Sequence, residues 1–117
     1  MAPTVGDRIS HIKEAIANIR AMRQTNGDEQ IKRDPILRAA LERFFEIISE
    51  ASRHIPEEAR AAHVQIPWKR IAGIGNFLRH VYNDIDVDVL LNAADDDFDL
   101  FEGALDQIVA SGRNSTE

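Results

Sequence analysis

Between Ile66 and Asp86 the chain reads IPWKRIAGIGNFLRHVYNDID, and three of its side chains fall at a spacing suited to proton chemistry. Asn76, His80 and Asp84 stand at i, i+4 and i+8, so they share one face if a helix runs that far. A carboxylate one turn from an imidazole can hold one ring nitrogen and leave the other to exchange a proton near neutral pH. Such pairs are common on helices, so a surface or packing role for His80 stands beside the chemical one. Gly73 and Gly75 interrupt the same apolar-periodic stretch, where each costs about 1 kcal/mol relative to Ala. A close approach or a backbone requirement is expected to offset that cost, and helix–helix contact is the expectation for Gly73.

The charge pattern singles out the same window. Residues 61–82 carry Lys69, Arg70 and Arg79 and no acid, whereas residues 83–117 carry one basic and ten acidic side chains. The net charge of −6 argues against a broad basic surface for nonspecific nucleic-acid binding, yet a small positive patch beside an acidic segment remains. Lys69 and Arg70 keep an RNA contact open; Trp68, next to a helix-starting Pro67, reads as a core plug ahead of a base-stacking platform.

Other candidates read as structural. His11 lies beside an isoleucine stripe, His54 sits where a cation favours a helix C-terminus, and His63 is isolated in a loop. None has a partner at metal-ligand spacing, so no metal site is expected, and no cofactor is implied. Asp95–Asp99 lacks the Gly and Glu of a calcium-binding loop, and no phosphate-loop, dinucleotide or nucleophile-elbow motif occurs. The chain has no Cys, which removes disulfides, thiol nucleophiles and thiolate metal sites together.

The elements that must position these residues are helical. Ile9, Ile12, Ile16 and Ile19 form one stripe of a first helix that ends near Thr25-Asn26-Gly27, with an extra turn at Ile31-Lys32. Asp34 followed by Pro35 is an N-cap and first-turn pair. Leu37, Leu41, Phe44, Ile48, Ala51 and Ile55 then repeat at helical spacing on the broadest apolar face of the chain, the natural centre of a bundle. Pro56 and Pro67 open two further helices. Val87–Leu91 reads as a short helix or turn, and Asp97 or Asp99 as the cap of a last helix through Phe101, Leu105 and Ile108. The expectation is an all-α, small antiparallel bundle of four to five helices. It forms a single domain over 1–117, with its core at about 6–110 and the last few residues flexible. No run of 18 apolar residues and no basic-then-apolar leader occurs, so no membrane association is expected and a cytoplasmic location is the default.

The window also resembles the signature of HEPN-domain toxins of the HepT kind, I-P-W-x-x-I-x-G-x-R-N-x-L-x-H-x-Y and then x-x-x-D. Ile66, Pro67, Trp68, Ile71, Gly73, Asn76, Leu78, His80, Tyr82 and Asp86 each stand where that pattern places the residue type. Outside it the likeness is looser and spans residues 6 to about 110, including Ile48-Ser49-Glu50-Ala51 where the family commonly has I-G-E-A. The resemblance implies a HEPN-like bundle and metal-independent endoribonuclease chemistry, in which Arg and His from two subunits meet at a homodimer interface. There the RNA 2′-hydroxyl attacks the adjacent phosphorus. It implies His80 as acid or base, Asn76 as a fixing or binding group, and Tyr82 as acceptor of AMP from an MntA-like nucleotidyltransferase antitoxin. One position departs: Gly75 stands where the family has its Arg, so Arg79 or Arg70 would have to stand in. Loss of such a cation commonly costs about 10²–10³ in rate, so the resemblance implies weak or absent cleavage. A non-catalytic HEPN subunit that binds, and is AMPylated by, the nucleotidyltransferase is the alternative, and a plain helical dimerisation module the third.

Overall fold

The structure, a computed structural model, describes residues 2–80 and 87–115, with the side chains of Arg79, His80 and residues 113–115 excepted. The N-terminal helix, α1 (Val5–Thr25), starts on a reciprocal cap: the Thr4 hydroxyl accepts from the Asp7 N–H, and the Asp7 carboxylate accepts from the Thr4 N–H. It buries Ile9, Ile12, Ala15, Ile16 and Ile19 and stops at Asn26, whose backbone and side-chain N–H groups both donate to the Met22 carbonyl. The expected extra turn is a short helix, α2 (Asp28–Arg33), which inserts Ile31 into the core.

Asp34 caps α3 (Pro35–Ser52), accepting from the N–H groups of Ile36 and Leu37 at 2.9 and 3.4 Å. This helix is the hub of the bundle and packs against α1, α2 and α5. A single turn and a half, α4 (Glu57–Ala61), leads to α5 (Trp68–His80), and α6 (Val87–Ser115) closes the described chain. Six helices are therefore present among the described residues, because the short α2 and α4 are helices in their own right, and no strand accompanies them.

One expectation is corrected. Val87–Leu91 is not a separate turn and neither Asp97 nor Asp99 is a cap, because both lie inside the continuous 29-residue α6. The apolar stripe Val87, Leu90, Leu91, Ala94, Phe98, Phe101, Leu105 and Ile108 runs unbroken at helical spacing and is buried throughout. Burial of that stripe outweighs the weak helix propensity of Asp. Phe98 meets Phe45 of α3 with ring centroids 5.7 Å apart, and Phe101 meets Trp68 edge-on at 5.5 Å. The acids of α6 face a row of cations. Arg20 binds Asp99 and Glu102, Arg23 binds Asp95, Lys13 binds Asp106, Lys32 binds Asp88 and Arg70 binds Asp97.

Candidate active site

Burial along α5 sorts its residues onto two sides. Ile71 and Gly75 are buried and Ile74 and Leu78 half-buried, whereas Lys69, Gly73, Asn76 and Phe77 are exposed. Trp68 anchors the start of the helix: its indole N–H donates to the His63 carbonyl at 3.0 Å while its ring packs on Phe101. Trp68 thus spends its ring on the core, and Pro67 supplies the fixed φ that opens the helix.

The Ser49 hydroxyl of α3 makes two hydrogen bonds to the middle of α5. Ser49, only 1% exposed, donates to the Ala72 carbonyl at 2.7 Å and accepts from the Gly75 N–H at 3.0 Å. The two glycines therefore have different roles, and the expectation of helix contact at Gly73 is corrected. A Cβ added at Gly73 would meet nothing within 4 Å, because that position faces outward. Gly75 is the position in helix–helix contact. An Arg side chain at position 75 would have to leave the α3–α5 seam around Ser49.

Asn76 is exposed on the outer side of α5. His80 is the last residue of the helix, one turn further on, about 6 Å along the axis. Tyr82, Asp84 and Asp86 lie outside the described residues, so the third member of the Asn76, His80 and Asp84 row does too. Arg70 leaves this side: it closes on Asp97 of α6 through two hydrogen bonds of 2.8 and 2.7 Å. Lys69 is exposed and makes no ion pair among the described residues. His54 pairs with Glu50 at 3.1 Å on α3, His11 is exposed on α1, and the His63 carbonyl serves Trp68. Among the described residues no three His, Asp or Glu side chains gather as metal ligands.

Sequence reasoning missed two residues at this seam, Ser49 and Arg53. Arg53 Nη2 donates to the same Ala72 carbonyl at 2.9 Å, so both residues reach α5 from one face of α3 at i and i+4. The available signal was a Ser on the buried face of α3 with an Arg one turn on.

An all-α bundle whose fifth helix follows Ile66-Pro67, starts at Trp68 and carries an exposed Asn76 with His80 at its end has the architecture of a HEPN-type domain. The family model described as ribonuclease HepT-like matches residues 12–108, and the chain belongs to that family. It is 31% identical over 102 residues to the "Probable ribonuclease HepT" of Thermococcus cleftensis, covering 87% of this chain and 93% of that one. It is 44% identical over 54 residues to a candidate RNase of Caldanaerobacter subterraneus subsp. tengcongensis, or 46% of this chain and 48% of that one. A candidate RNase of Methanocaldococcus jannaschii is 39% identical over 62 residues, 53% of this chain and 57% of that protein. The matches to the last two span about half the length of those relatives. No solved structure matches the chain. No described helix is long and apolar enough to cross a membrane.

Proposed function

We propose that this chain is the HepT-like toxin subunit of a toxin–antitoxin pair, a metal-independent endoribonuclease that works as a homodimer through α5 and is attenuated by Gly75. The observation that carries the reading is the family match over residues 12–108 together with an exposed Asn76 on α5 and His80 one turn further along that helix. In the reaction the 2′-hydroxyl loses its proton and its oxygen bonds to the adjacent phosphorus. The P–O5′ bond breaks, and the leaving oxygen takes up a proton. His80 is suited to move one of these protons near pH 7, and Asn76 to hold a phosphoryl oxygen or the imidazole. With Gly75 in place of the signature Arg, the bidentate cation for the charge that builds on phosphorus must come from another position. Arg79 adjoins His80 in sequence and remains the nominee for that role in the block of residues 75–80, with Lys69 as a further RNA contact.

A second reading has its own support. Gly75 is buried against Ser49, where the family pattern calls for Arg, and this favours a non-catalytic HEPN subunit. In that reading the chain binds an MntA-like nucleotidyltransferase and presents Tyr82 for AMP transfer.

The test is cleavage of a labelled RNA in EDTA by the unaltered protein, Gly75→Arg, Gly75→Arg combined with Ser49→Gly, and His80→Ala. The expected result is slow cutting by the unaltered chain, none by His80→Ala, and faster cutting by the double variant than by Gly75→Arg alone. Intact RNA in every lane, with a co-purifying nucleotidyltransferase and AMP on Tyr82 by mass spectrometry, would replace this reading with the second.

A further inference from the structure

The geometry points to Arg53 of α3 as an RNA phosphate-binding residue of this site, a cation delivered to α5 from a neighbouring helix. The inference rests on the ribonuclease reading above and adds to it a residue outside the HepT signature.

Arg53 caps the end of α3, and its side chain crosses to the Ala72 carbonyl of α5. That carbonyl has two lone pairs and does not need the guanidinium. The Ser49 hydroxyl already donates to it at 2.7 Å, and in the helical ladder it stands opposite the Asn76 N–H. Arg53 is therefore a third donor on a satisfied acceptor, and it can leave without orphaning a buried group. Its other tie is loose. Arg53 Nη1 is 3.9 Å from a Glu50 carboxylate oxygen, and the other oxygen of that carboxylate is engaged by His54 at 3.1 Å. With five N–H donors on a guanidinium, most of the fork faces solvent or a ligand, and the side chain is 36% exposed.

The place matters as much as the charge. Ala72, Asn76 and His80 follow one another at i, i+4 and i+8, so Arg53 sits at the head of the Asn76 and His80 row. Lys69 and Gly73 belong to the same side of α5 by helical register. Lys69 adds an exposed amine, and Gly73, open beyond its Cα, lets a sugar–phosphate backbone lie close to the helix. Phe77, 43% exposed beside Asn76 in sequence, offers a ring face for a base. The other strong cation near α5, Arg70, is closed on Asp97 by two short hydrogen bonds. A single RNA strand laid along this side meets Arg53 and Lys69 on its phosphates before it reaches His80.

The experiment is fluorescence anisotropy of a labelled single-stranded RNA titrated in EDTA across a potassium chloride series. The proteins are the unaltered chain, Arg53→Gln, Arg53→Lys and Arg43→Gln, the last an exposed α3 cation with no partner among the described residues. Removing one phosphate contact should weaken binding about tenfold at low salt and lower the slope of log K against log salt by about 0.7. Arg53→Lys should restore the slope, and Arg43→Gln should match the unaltered chain. Equal affinity and slope for Arg53→Gln, with the unaltered chain binding RNA, would overturn the assignment of Arg53 alone. An unaltered chain that neither binds nor cuts RNA would overturn the ribonuclease reading and Arg53 with it. A purely structural Arg53 would lower the melting temperature and leave the salt slope in place.

Discussion

Ser49 ties two helices through one oxygen, donating to the Ala72 carbonyl and accepting from the Gly75 N–H. Both backbone groups keep their places in the helical ladder when the hydroxyl is removed, so Ser49→Ala should cost about 1–2 kcal/mol, within the range for buried hydrogen bonds. Thermal unfolding should show a midpoint lower by several degrees. Gly75→Arg and Ser49→Gly act on the same seam, so their stability effects should depart from additivity by about 0.5–3 kcal/mol in a double-mutant cycle. At this scale the sequence was half legible. Asn76, His80 and Gly75 stood out because they lie within one short signature. Ser49 and Arg53 did not, because their bonds to α5 span 23 and 19 residues and follow no period.

The elements were more legible than the contacts between them. Asp34-Pro35 marked the start of α3 because a side-chain acceptor and a fixed φ are local devices, and the structure shows Asp34 accepting from two backbone N–H groups. Asp34→Ala should cost about 1 kcal/mol in chemical denaturation with an unchanged m-value. The cap expected at Asp97 or Asp99 failed for a physical reason: a tertiary stripe, read over all of α6, overrules the local preference of four aspartates. Amide hydrogen exchange gives a direct check. Continuous protection is expected from Leu91 through Leu105, and a fast-exchanging gap at Asp95–Asp99 would contradict the single helix.

Charge acts on the whole molecule. The cations of α1 and the acids of α6 pair in descending order, with Arg23 on Asp95, Arg20 on Asp99 and Lys13 on Asp106, which is the register of two antiparallel helices. Each pair is largely at the surface and contributes little alone. The hydrogen bond from Arg23, reinforced by its charge, holds the Asp95 carboxyl below its ordinary value. A depressed carboxylate stabilises the fold above its unfolded pKa, and that stability is lost as pH falls through the folded pKa. The unfolding midpoint should therefore drop below about pH 4, and Arg23→Gln should flatten that part of the profile. Glu42 has the opposite sign. Desolvation, with Glu46 adding to it and Arg38 opposing, pushes its carboxyl above the ordinary range, so its ionisation works against folding at neutral pH. Glu42→Gln should raise the midpoint slightly at pH 7, and the difference should vanish below about pH 4, where both states carry the proton.

The pairing of α1 with α6 also orders events in time. Residues 1–82 hold thirteen basic and ten acidic side chains, a net of +3, against −6 for residues 1–117. A ribosome therefore produces first a cationic set of helices, whose Lys13, Arg20, Arg23 and Arg70 have no α6 to answer them. Such an intermediate is drawn to any polyanion within reach, the ribosomal RNA included. Docking of α6 completes the core and in the same step lays its acids on those cations.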